Sequence, residues 1–260
     1  MTNAAAQSDI EVKHCSSLDE YDRCVEVEHL TWGESLAVPS AIFVVAHHTG
    51  GQVLAAFDGP KIVGFTLALA GIREGNAFLH SHMTAVLPDY QNRGIGRALK
   101  LSQRQDALDR GIGLIEWTFD PLEIKNAYFN LNRLGAVARR LIPNAYGVTK
   151  SPLHGGIPTD RLVAEWWLES ERVRSAISGT SSVVKGAIER VTLPSNIAEI
   201  RSNDPASAER IQTGARGQLQ LAFSRGHAAI GIEARGVRTD YILRPVNEVD
   251  ALNIPAELTV

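Results

Sequence analysis

The spacing of hydrophobic and polar residues alternates between two periods from residue 9 to about residue 169. A period of two residues predicts strands, whereas apolar residues three or four apart predict helices with one buried face. The pattern predicts the order β-α-β-β-β-loop-α-β-α-β-β. The predicted strands cover residues 9–15, 51–72 (a hairpin about Asp58-Gly59-Pro60), 77–87, 114–121, 136–142 and 161–168.

Three predicted helices lie between these strands. The first, residues 16–33, opens with the capping box Ser17 and Glu20 and ends at Gly33. The second runs from about Arg97 to Asp109, and the third covers residues 123–135. The predicted fold class is therefore α/β (α+β), with a mixed, largely antiparallel central sheet flanked by helices.

The last ninety or so residues have a different pattern, rich in turn formers. They predict an amphipathic helix over residues 207–226 and a closing hairpin over residues 227–245, without a chemical motif. We therefore predict a core domain at residues 1–169 and a small C-terminal α+β subdomain at residues 170–260.

Composition narrows the class of protein. A formal charge of -3 and a pI near 6.2 give no sign of a nucleic-acid or anionic-membrane partner. The longest apolar stretch, residues 62–72, is much shorter than the ~20 residues of a membrane span, and residues 1–14 lack the features of a signal peptide. Two cysteines, Cys15 and Cys24, predict reduced, partly buried thiols. We expect a cytoplasmic protein.

The segment LPDYQNRGIGRALKLSQ, residues 87–103, carries the clearest chemical signal. A strand, a loop with glycines two apart and a helix form an anion-binding arrangement, because the first N–H groups of a helix have no intrahelical partner. A tight strand-to-helix turn is the structural alternative. The segment is neither a Walker loop, since GRALK lacks GK[ST], nor a dinucleotide fingerprint, since Leu99 replaces the third glycine.

This segment resembles the pyrophosphate-binding motif Q/R-x-x-G-x-G/A of the GNAT acyltransferase superfamily, with Gln91, Arg93, Gly94 and Gly96 in place. Residues 80–96, 117–137 and 153–166 further resemble a bacterial GNAT branch, some of whose members are associated with N-succinyl amino acid metabolism. The resemblance implies that the anion is the pyrophosphate of coenzyme A, with acetyl-CoA or succinyl-CoA as acyl donor.

The resemblance also implies positions for the rest of the donor. Its pantetheine arm would follow the strand that ends at Val86, and the thioester carbonyl would lie near the backbone N–H groups of Ala85 to Leu87. The full set of implied cofactor-binding residues is Ala85, Val86, Leu87, Gln91, Asn92, Arg93, Gly94, Ile95, Gly96, Arg97, Asn126 and Asn130.

Candidate bases lie on two neighbouring predicted strands. His80, His82 and Thr84 are predicted to alternate onto one face, and some GNAT enzymes place a glutamate base at the position of His80. Glu116 is the second candidate, on a face shared with Thr118 and Asp120. The structural alternatives are hydrogen-bonded core histidines and a paired carboxylate. Metal binding by His80 and His82 is not predicted, because no third ligand has a suitable spacing.

The general acid departs from the GNAT pattern. The usual tyrosine position, four residues before the glycine that ends the short helix, holds Leu131. Tyr128 or Tyr146 would substitute, or the thiolate would leave unassisted. His82, Thr118, Asp120 and His154 are the predicted acceptor-binding residues, with Lys150 and Arg161 as further candidates to bind a carboxylate.

Three functions compete at this point: an acyl-CoA-dependent N-acyltransferase acting on a small amine, a non-catalytic CoA-binding module and a nucleotide-binding protein of another fold. The residues and the resemblance favour the first, with an amino acid or derivative as acceptor. The sequence leaves open whether the protein forms a homodimer.

Overall fold

The computed structural model describes residues 10–33, 37–148, 155–180 and 188–249. They form ten strands and seven α-helices, divided between two compact units, Met1–Ile115 and Glu116–Val260. This confirms the predicted mixed α/β class with a largely antiparallel sheet. None of the helices described is both long and apolar enough to cross a membrane.

The first unit contains four antiparallel strands in the order β1-β2-β3-β4 and three helices. Asp58 and Lys61 pair at the predicted hairpin turn, where Gly59 has φ 56°. The strands are β1 (Ile10–His14), β2 (Gln52–Asp58), β3 (Lys61–Arg73) and β4 (Asn76–Val86), and the helices are α1 (Leu18–Trp32), α2 (Ser40–His48) and α3 (Ile95–Asp109).

Helix α1 confirms its predicted capping box. The Ser17 side chain accepts from the Glu20 N–H, the Glu20 carboxylate accepts from the Ser17 N–H, and Gly33 ends the helix. Cys15 and Cys24 are both fully buried, with their sulfur atoms 4.0 Å apart. Both cysteines are free, as predicted.

Helix α2 was missed by the hydrophobic pattern. Its sequence SAIFVVAHH is apolar at all six consecutive positions 41–46, so it carries no helical period, although only Phe43 and Ala46 are buried. These two side chains pack against the sheet, where the ring centres of Phe43 and Phe65 are 5.5 Å apart, and this tertiary packing stabilises the helix.

The second unit contains strands in the order β5-β7-β6-β9-β10-β8, with β5 beginning in the first unit. The pairs β6·β7, β6·β9, β9·β10 and β10·β8 are antiparallel. The strands are β5 (Leu114–Phe119), β6 (Val137–Ile142), β7 (Arg161–Trp167), β8 (Glu189–Pro194), β9 (His227–Arg235) and β10 (Arg238–Pro245); the helices are α4 (Ile124–Tyr128), α5 (Glu171–Ser178), α6 (Ile197–Asn203) and α7 (Pro205–Ser224).

The predicted domain boundary between residues 169 and 170 stays a prediction. Contacts cross that position within the second unit: the Tyr241 hydroxyl donates to the Pro121 carbonyl at 2.7 Å, and Ala229 of β9 pairs with Ala138 of β6. The C-terminal helix and hairpin predicted from the sequence are present as α7 and β9–β10.

Candidate functional site

The N-terminus of α3 is built by two residues in the left-handed conformation. Asn92 has φ 60°, and Gly94, the N-cap of the helix, has φ 81°. The helix begins at Ile95, two residues earlier than predicted, and the Ala98 N–H donates to the Gly94 carbonyl at 2.9 Å. No side chain caps this end among the described residues, so the amide groups of the first turn remain available to an anion.

Open space lies directly in front of this turn. A Cβ atom added at Gly94 or at Gly96 would meet no heavy atom within 4 Å. Gly94 is explained by its positive φ, but Gly96 has no such requirement and no neighbour that a side chain would strike. The missing side chain at Gly96 therefore leaves room for a ligand that approaches the backbone closely.

Side-chain contacts of Gln91, Arg93 and Tyr90 hold the loop before α3 in place. The Gln91 side-chain amide donates to the Val86 carbonyl at 3.1 Å, and the Arg93 guanidinium lies 5.0 Å from the centre of the Tyr90 ring. Tyr90 in turn donates to Asp58 at 2.7 Å. Gln91, Asn92 and Arg93 are exposed, whereas the Ile95 side chain packs in the core, so Ile95 can contribute only its backbone N–H.

The backbone N–H groups at the end of β4 differ in the direction in which they point. The Leu87 N–H already donates to the Val63 carbonyl of β3 at 2.9 Å. Because N–H groups alternate in direction along a strand, the Ala85 N–H also points towards β3 and the Val86 N–H points away from it. Of the three N–H groups predicted to lie near the thioester carbonyl, those of Ala85 and Leu87 are directed to β3, and that of Val86 is the one that points away from it.

A β-bulge at His82 changes the faces of β4. Leu67 pairs with Met83 and the next residue, Ala68, pairs with Ser81, so His82 is the extra residue. Ser81 and Thr84 consequently share one face. The prediction that Thr84 lies beside His80 and His82 is wrong, because the inserted residue resets the alternation.

The two histidines themselves do lie together. Their ring centres are 6.2 Å apart; His80 is half-buried and His82 is exposed. Partial desolvation of the His82 imidazole lowers its pKa, which favours the neutral ring near pH 7. A neutral imidazole can accept a proton from an ammonium group.

A buried polar cluster on the opposite face of β4 was missed by the sequence reasoning. Lys100 of α3 donates to Ser81 Oγ at 2.7 Å and to Gln103 Oε1 at 3.1 Å, and Gln103 donates to Thr66, which is 2.9 Å from the Thr84 hydroxyl. Burial lowers the pKa of Lys100 to about 7. The signal was present in the sequence, because Gln103 continues the buried stripe that begins at Ile95 and Leu99.

Glu116 on β5 is a paired carboxylate. It is 3% exposed and accepts from the Arg140 guanidinium at 2.5 Å. Arg140 also donates to Glu165, which receives a further bond from Arg139. An adjacent guanidinium stabilises the ionised form of a carboxylate and makes it a weaker base, so this pairing favours the structural interpretation of Glu116.

The acceptor candidates on and after β5 divide into two groups. Asp120 accepts from the Leu122 N–H at 2.8 Å and from Arg201 at 2.8 Å, and desolvation raises its pKa. Both of its carboxylate oxygens thus accept hydrogen bonds from other residues of the protein. Thr118, by contrast, lies 3.1 Å from the hydroxyl of Tyr146, so the structure brings these two predicted residues together.

The remaining predicted residues of the second unit differ in exposure. Tyr128 and Tyr146 are 46% and 54% exposed, and the Arg161 guanidinium lies 5.4 Å from the Tyr146 ring centre. Asn126 is exposed, whereas Asn130 is buried with its Nδ2 unpartnered among the described residues. Leu131, at the usual position of the acid, is fully buried; His154 and Lys150 lie outside the described residues.

The described residues offer no site for a metal ion. Nowhere in that part of the chain do three histidine, cysteine or acidic side chains come together as ligands. The chemistry available there is anion binding at the α3 turn and proton transfer by imidazole, carboxylate or phenol.

Comparisons with known proteins agree with this geometry. Residues 17–129 match the model of the acetyltransferase (GNAT) family. A search of curated proteins finds no match. The narrower resemblance to the branch associated with N-succinyl amino acid metabolism receives no support from these comparisons.

Among the solved structures that share the fold are two proposed acetyltransferases. A proposed acetyltransferase from Acinetobacter baylyi ADP1 superposes with a TM-score of 0.51 and 11% identity, covering 62% of this chain and 92% of that one. A proposed acetyltransferase from Salmonella typhimurium, solved with its cofactor acetyl-CoA, superposes with a TM-score of 0.50 and 15% identity. This match covers 62% of this chain and 94% of that one. The chain thus has the fold of the GNAT acetyltransferases, a family of acyl-CoA-dependent N-acetyltransferases.

Proposed function

We propose that this protein transfers an acyl group from coenzyme A to the amine of a small molecule, with an amino acid or derivative as acceptor. Acetyl-CoA is the favoured donor because a neighbour of the same fold binds it; succinyl-CoA is the alternative donor. The observation that carries the proposal is the open turn at Gly94 and Gly96, which follows a bulged strand and lies within the family match.

The first turn of α3 supplies the donor site. Its backbone N–H groups and the positive end of the helix dipole would bind the pyrophosphate, with Arg93 and Arg97 adding charge at the same loop. Asn92 shapes the turn through its left-handed backbone. Asn126 and Asn130 remain proposed contacts of the pantetheine arm.

The end of β4 supplies the acyl site. The Val86 N–H, which points away from β3, would stabilise the oxyanion of the tetrahedral intermediate. His80 would accept the proton of the acceptor ammonium, and His82, whose pKa is lowered, would contact the acceptor in its neutral form. General base catalysis of this kind is typically worth about 10²- to 10⁴-fold.

Tyr128 or Tyr146 would protonate the leaving thiolate. Tyr146 has the better support, because its hydroxyl is held by Thr118 at 3.1 Å while its ring stays exposed. Thr118 and His154 remain proposed acceptor contacts. Asp120 and Glu116 are the weaker proposals, because arginine side chains bind both carboxylates.

A second candidate function is a non-catalytic CoA-binding module. Two observations favour it: buried Leu131 replaces the usual acid, and Glu116 is neutralised by Arg140. One experiment separates the two functions. The protein is titrated with CoA by calorimetry and then mixed with acetyl-CoA or succinyl-CoA and a panel of amines, while free thiol is measured.

Each outcome of that experiment is decisive. Binding with amine-dependent thiol release supports the acyltransferase and identifies the donor. Binding without release across a broad panel supports the module. An absence of CoA binding would exclude both functions.

A further inference from the structure

The second unit contains a cavity of about 410 Å³ beside strand β9, which adjoins β6 in the sheet. Among the described residues these strands pair only at Ala138 and Ala229. Beyond that pair the β9 edge is satisfied by side chains: Asn132 bonds both the N–H and the carbonyl of Ile232. None of the residues lining this cavity belongs to the predicted CoA or acceptor sites.

Arg172 of α5 lines this cavity with a half-buried side chain whose Nε is buried. It donates to the Leu131 carbonyl at 2.8 Å and to the Ile230 carbonyl. Its Nε has no hydrogen-bond partner among the described residues, and no carboxylate of that part of the chain forms an ion pair with it. Burial lowers the pKa of Arg172 only to about 10, so the group carries a positive charge at neutral pH.

The other arginine of the cavity is neutralised. Arg190 donates to Glu233 at 2.6 Å and to Asp240 at 3.3 Å. The charge of Arg190 is therefore balanced by carboxylates of the protein, as is that of Glu233, and the charge of Arg172 is not. A largely buried guanidinium that has no carboxylate partner is stabilised when an anion binds beside it.

The rest of the lining combines aliphatic residues with the polar residues Asn132, Ser175, Thr180 and Glu233. Four of the aliphatic residues are isoleucines: Ile188, Ile230, Ile232 and Ile242. A volume of 410 Å³ lies within the range of small-ligand sites, which combine an apolar wall with a few polar groups.

We propose that this cavity binds a small organic carboxylate with a branched aliphatic body, its carboxylate held by Arg172 and its body by the four isoleucines. A guanidinium is suited to this role, because its donors match the two oxygens of a carboxylate. The proposal goes beyond the acyltransferase function and does not depend on it.

Calorimetric titration of the full chain tests the proposal, with 4-methylpentanoate as probe and 4-methylpentanamide as its neutral analogue. Arg172→Gln keeps an amide donor for the two carbonyls and removes the charge. Gly231→Val fills the cavity from β9, where an added Cβ would meet only Asn132, at 3.6 Å or more. Arg210→Gln, at an exposed position of α7, is the matched control.

We expect saturable binding of the carboxylate at millimolar concentrations or below, unchanged in Arg210→Gln. Binding should weaken at least tenfold for the amide and for both cavity variants. Equal affinity for carboxylate and amide, no binding by the wild type, or full binding by Arg172→Gln would overturn the proposal. Should Arg172→Gln fail to fold, as judged by its thermal melt, the amide and Gly231→Val decide the question.

Discussion

Gly94 and Gly96 are glycines for different physical reasons. Gly94 has a positive φ that a side chain would strain, so the fold alone explains it. Gly96 has ordinary backbone geometry and open space in front of it. Of the two, Gly96 is therefore the sharper probe of ligand binding.

We expect Gly96→Asp to fold normally and to weaken CoA binding at least tenfold, which corresponds to about 1.4 kcal/mol or more. The carboxylate would occupy the space next to the first-turn N–H groups and repel the pyrophosphate. Gly113→Asp, at an exposed glycine that likewise has no neighbour within 4 Å, should bind CoA like the wild type. Titration calorimetry checks this, and equal affinity in both variants would place the pyrophosphate elsewhere.

His80 is the residue on which the proposed proton transfer depends. His80→Ala should lower kcat for acetyl transfer at least tenfold and leave the Kd for CoA unchanged, because the imidazole acts on the acceptor rather than on the donor. The exposed His48 of α2 provides the control, as His48→Ala should leave both quantities unchanged. An unaltered kcat in His80→Ala would remove His80 as the base.

Glu28 makes the stability of the first unit depend on pH. Its side chain is fully buried in α1; Oε1 accepts from the Val38 N–H at 3.1 Å and Oε2 has no partner among the described residues. Burial raises the pKa of Glu28 to about 7. The folded state therefore binds more protons than the unfolded state between about pH 4.5 and 7, and its stability falls as pH rises through that window.

We expect this group to lower the free energy of unfolding by on the order of 2–3 kcal/mol between pH 5 and pH 8. Glu28→Gln should remove that loss and be more stable than the wild type at pH 8. Urea denaturation at several pH values measures the difference, with the exposed Glu26→Gln as control. A constant difference between wild type and Glu28→Gln across the range would contradict the assignment.

At the scale of elements, the sequence predicted a structure correctly where a few adjacent residues fix the backbone. The α1 capping box and the β2–β3 hairpin are contained in a few adjacent residues, so the sequence predicted them. The β4 bulge at His82 is different, since no glycine or proline marks it and the register is set by pairing with β3. That single inserted residue decided which of the predicted site residues share a face.

Helix α6 is held to the turn after β5 by a buried ion pair. Arg201 donates to Asp120 at 2.8 Å, with each side chain 10% exposed, and it also bonds to Glu123. Arg201→Met would leave the Asp120 carboxylate buried without its partner. We expect a loss of about 3 kcal/mol in the free energy of unfolding.

Chemical denaturation of Arg201→Met tests this expectation. The double variant Arg201→Met, Asp120→Asn should recover part of the loss, because it removes the uncompensated charge as well. Arg210→Met, on the exposed face of α7, is the matched control and should stay close to the wild type. A loss no larger than that of the control would show that the pair is not important for stability.

At the scale of the whole molecule, the C-terminal segment is part of the second unit's structure. Asn132 bonds the β9 backbone, the Tyr241 hydroxyl bonds the Pro121 carbonyl, and Gln212 of α7 bonds the Pro158 carbonyl. These bonds join residues on either side of the predicted boundary at residue 169. Removing one side would leave buried polar groups and apolar side chains exposed to water.

We therefore expect the fragment 1–169 to lack a cooperative thermal transition and to aggregate. Size-exclusion chromatography and a thermal melt, run beside the full chain, measure this directly. A monomeric fragment that melts cooperatively would instead support an independent core domain at residues 1–169.

The sequence by itself determined the mixed α/β class, the order of elements from β1 to β7 with the exception of α2, and the glycine turn that begins α3. These features depend on local backbone preference and short-range periodicity, which neighbouring residues encode. Only the tertiary structure decided that Val86 rather than Leu87 presents its N–H away from β3 and that arginines hold Glu116 and Asp120. The reason is that strand register and charge pairing join residues distant in the chain, and local patterns carry no record of those partners.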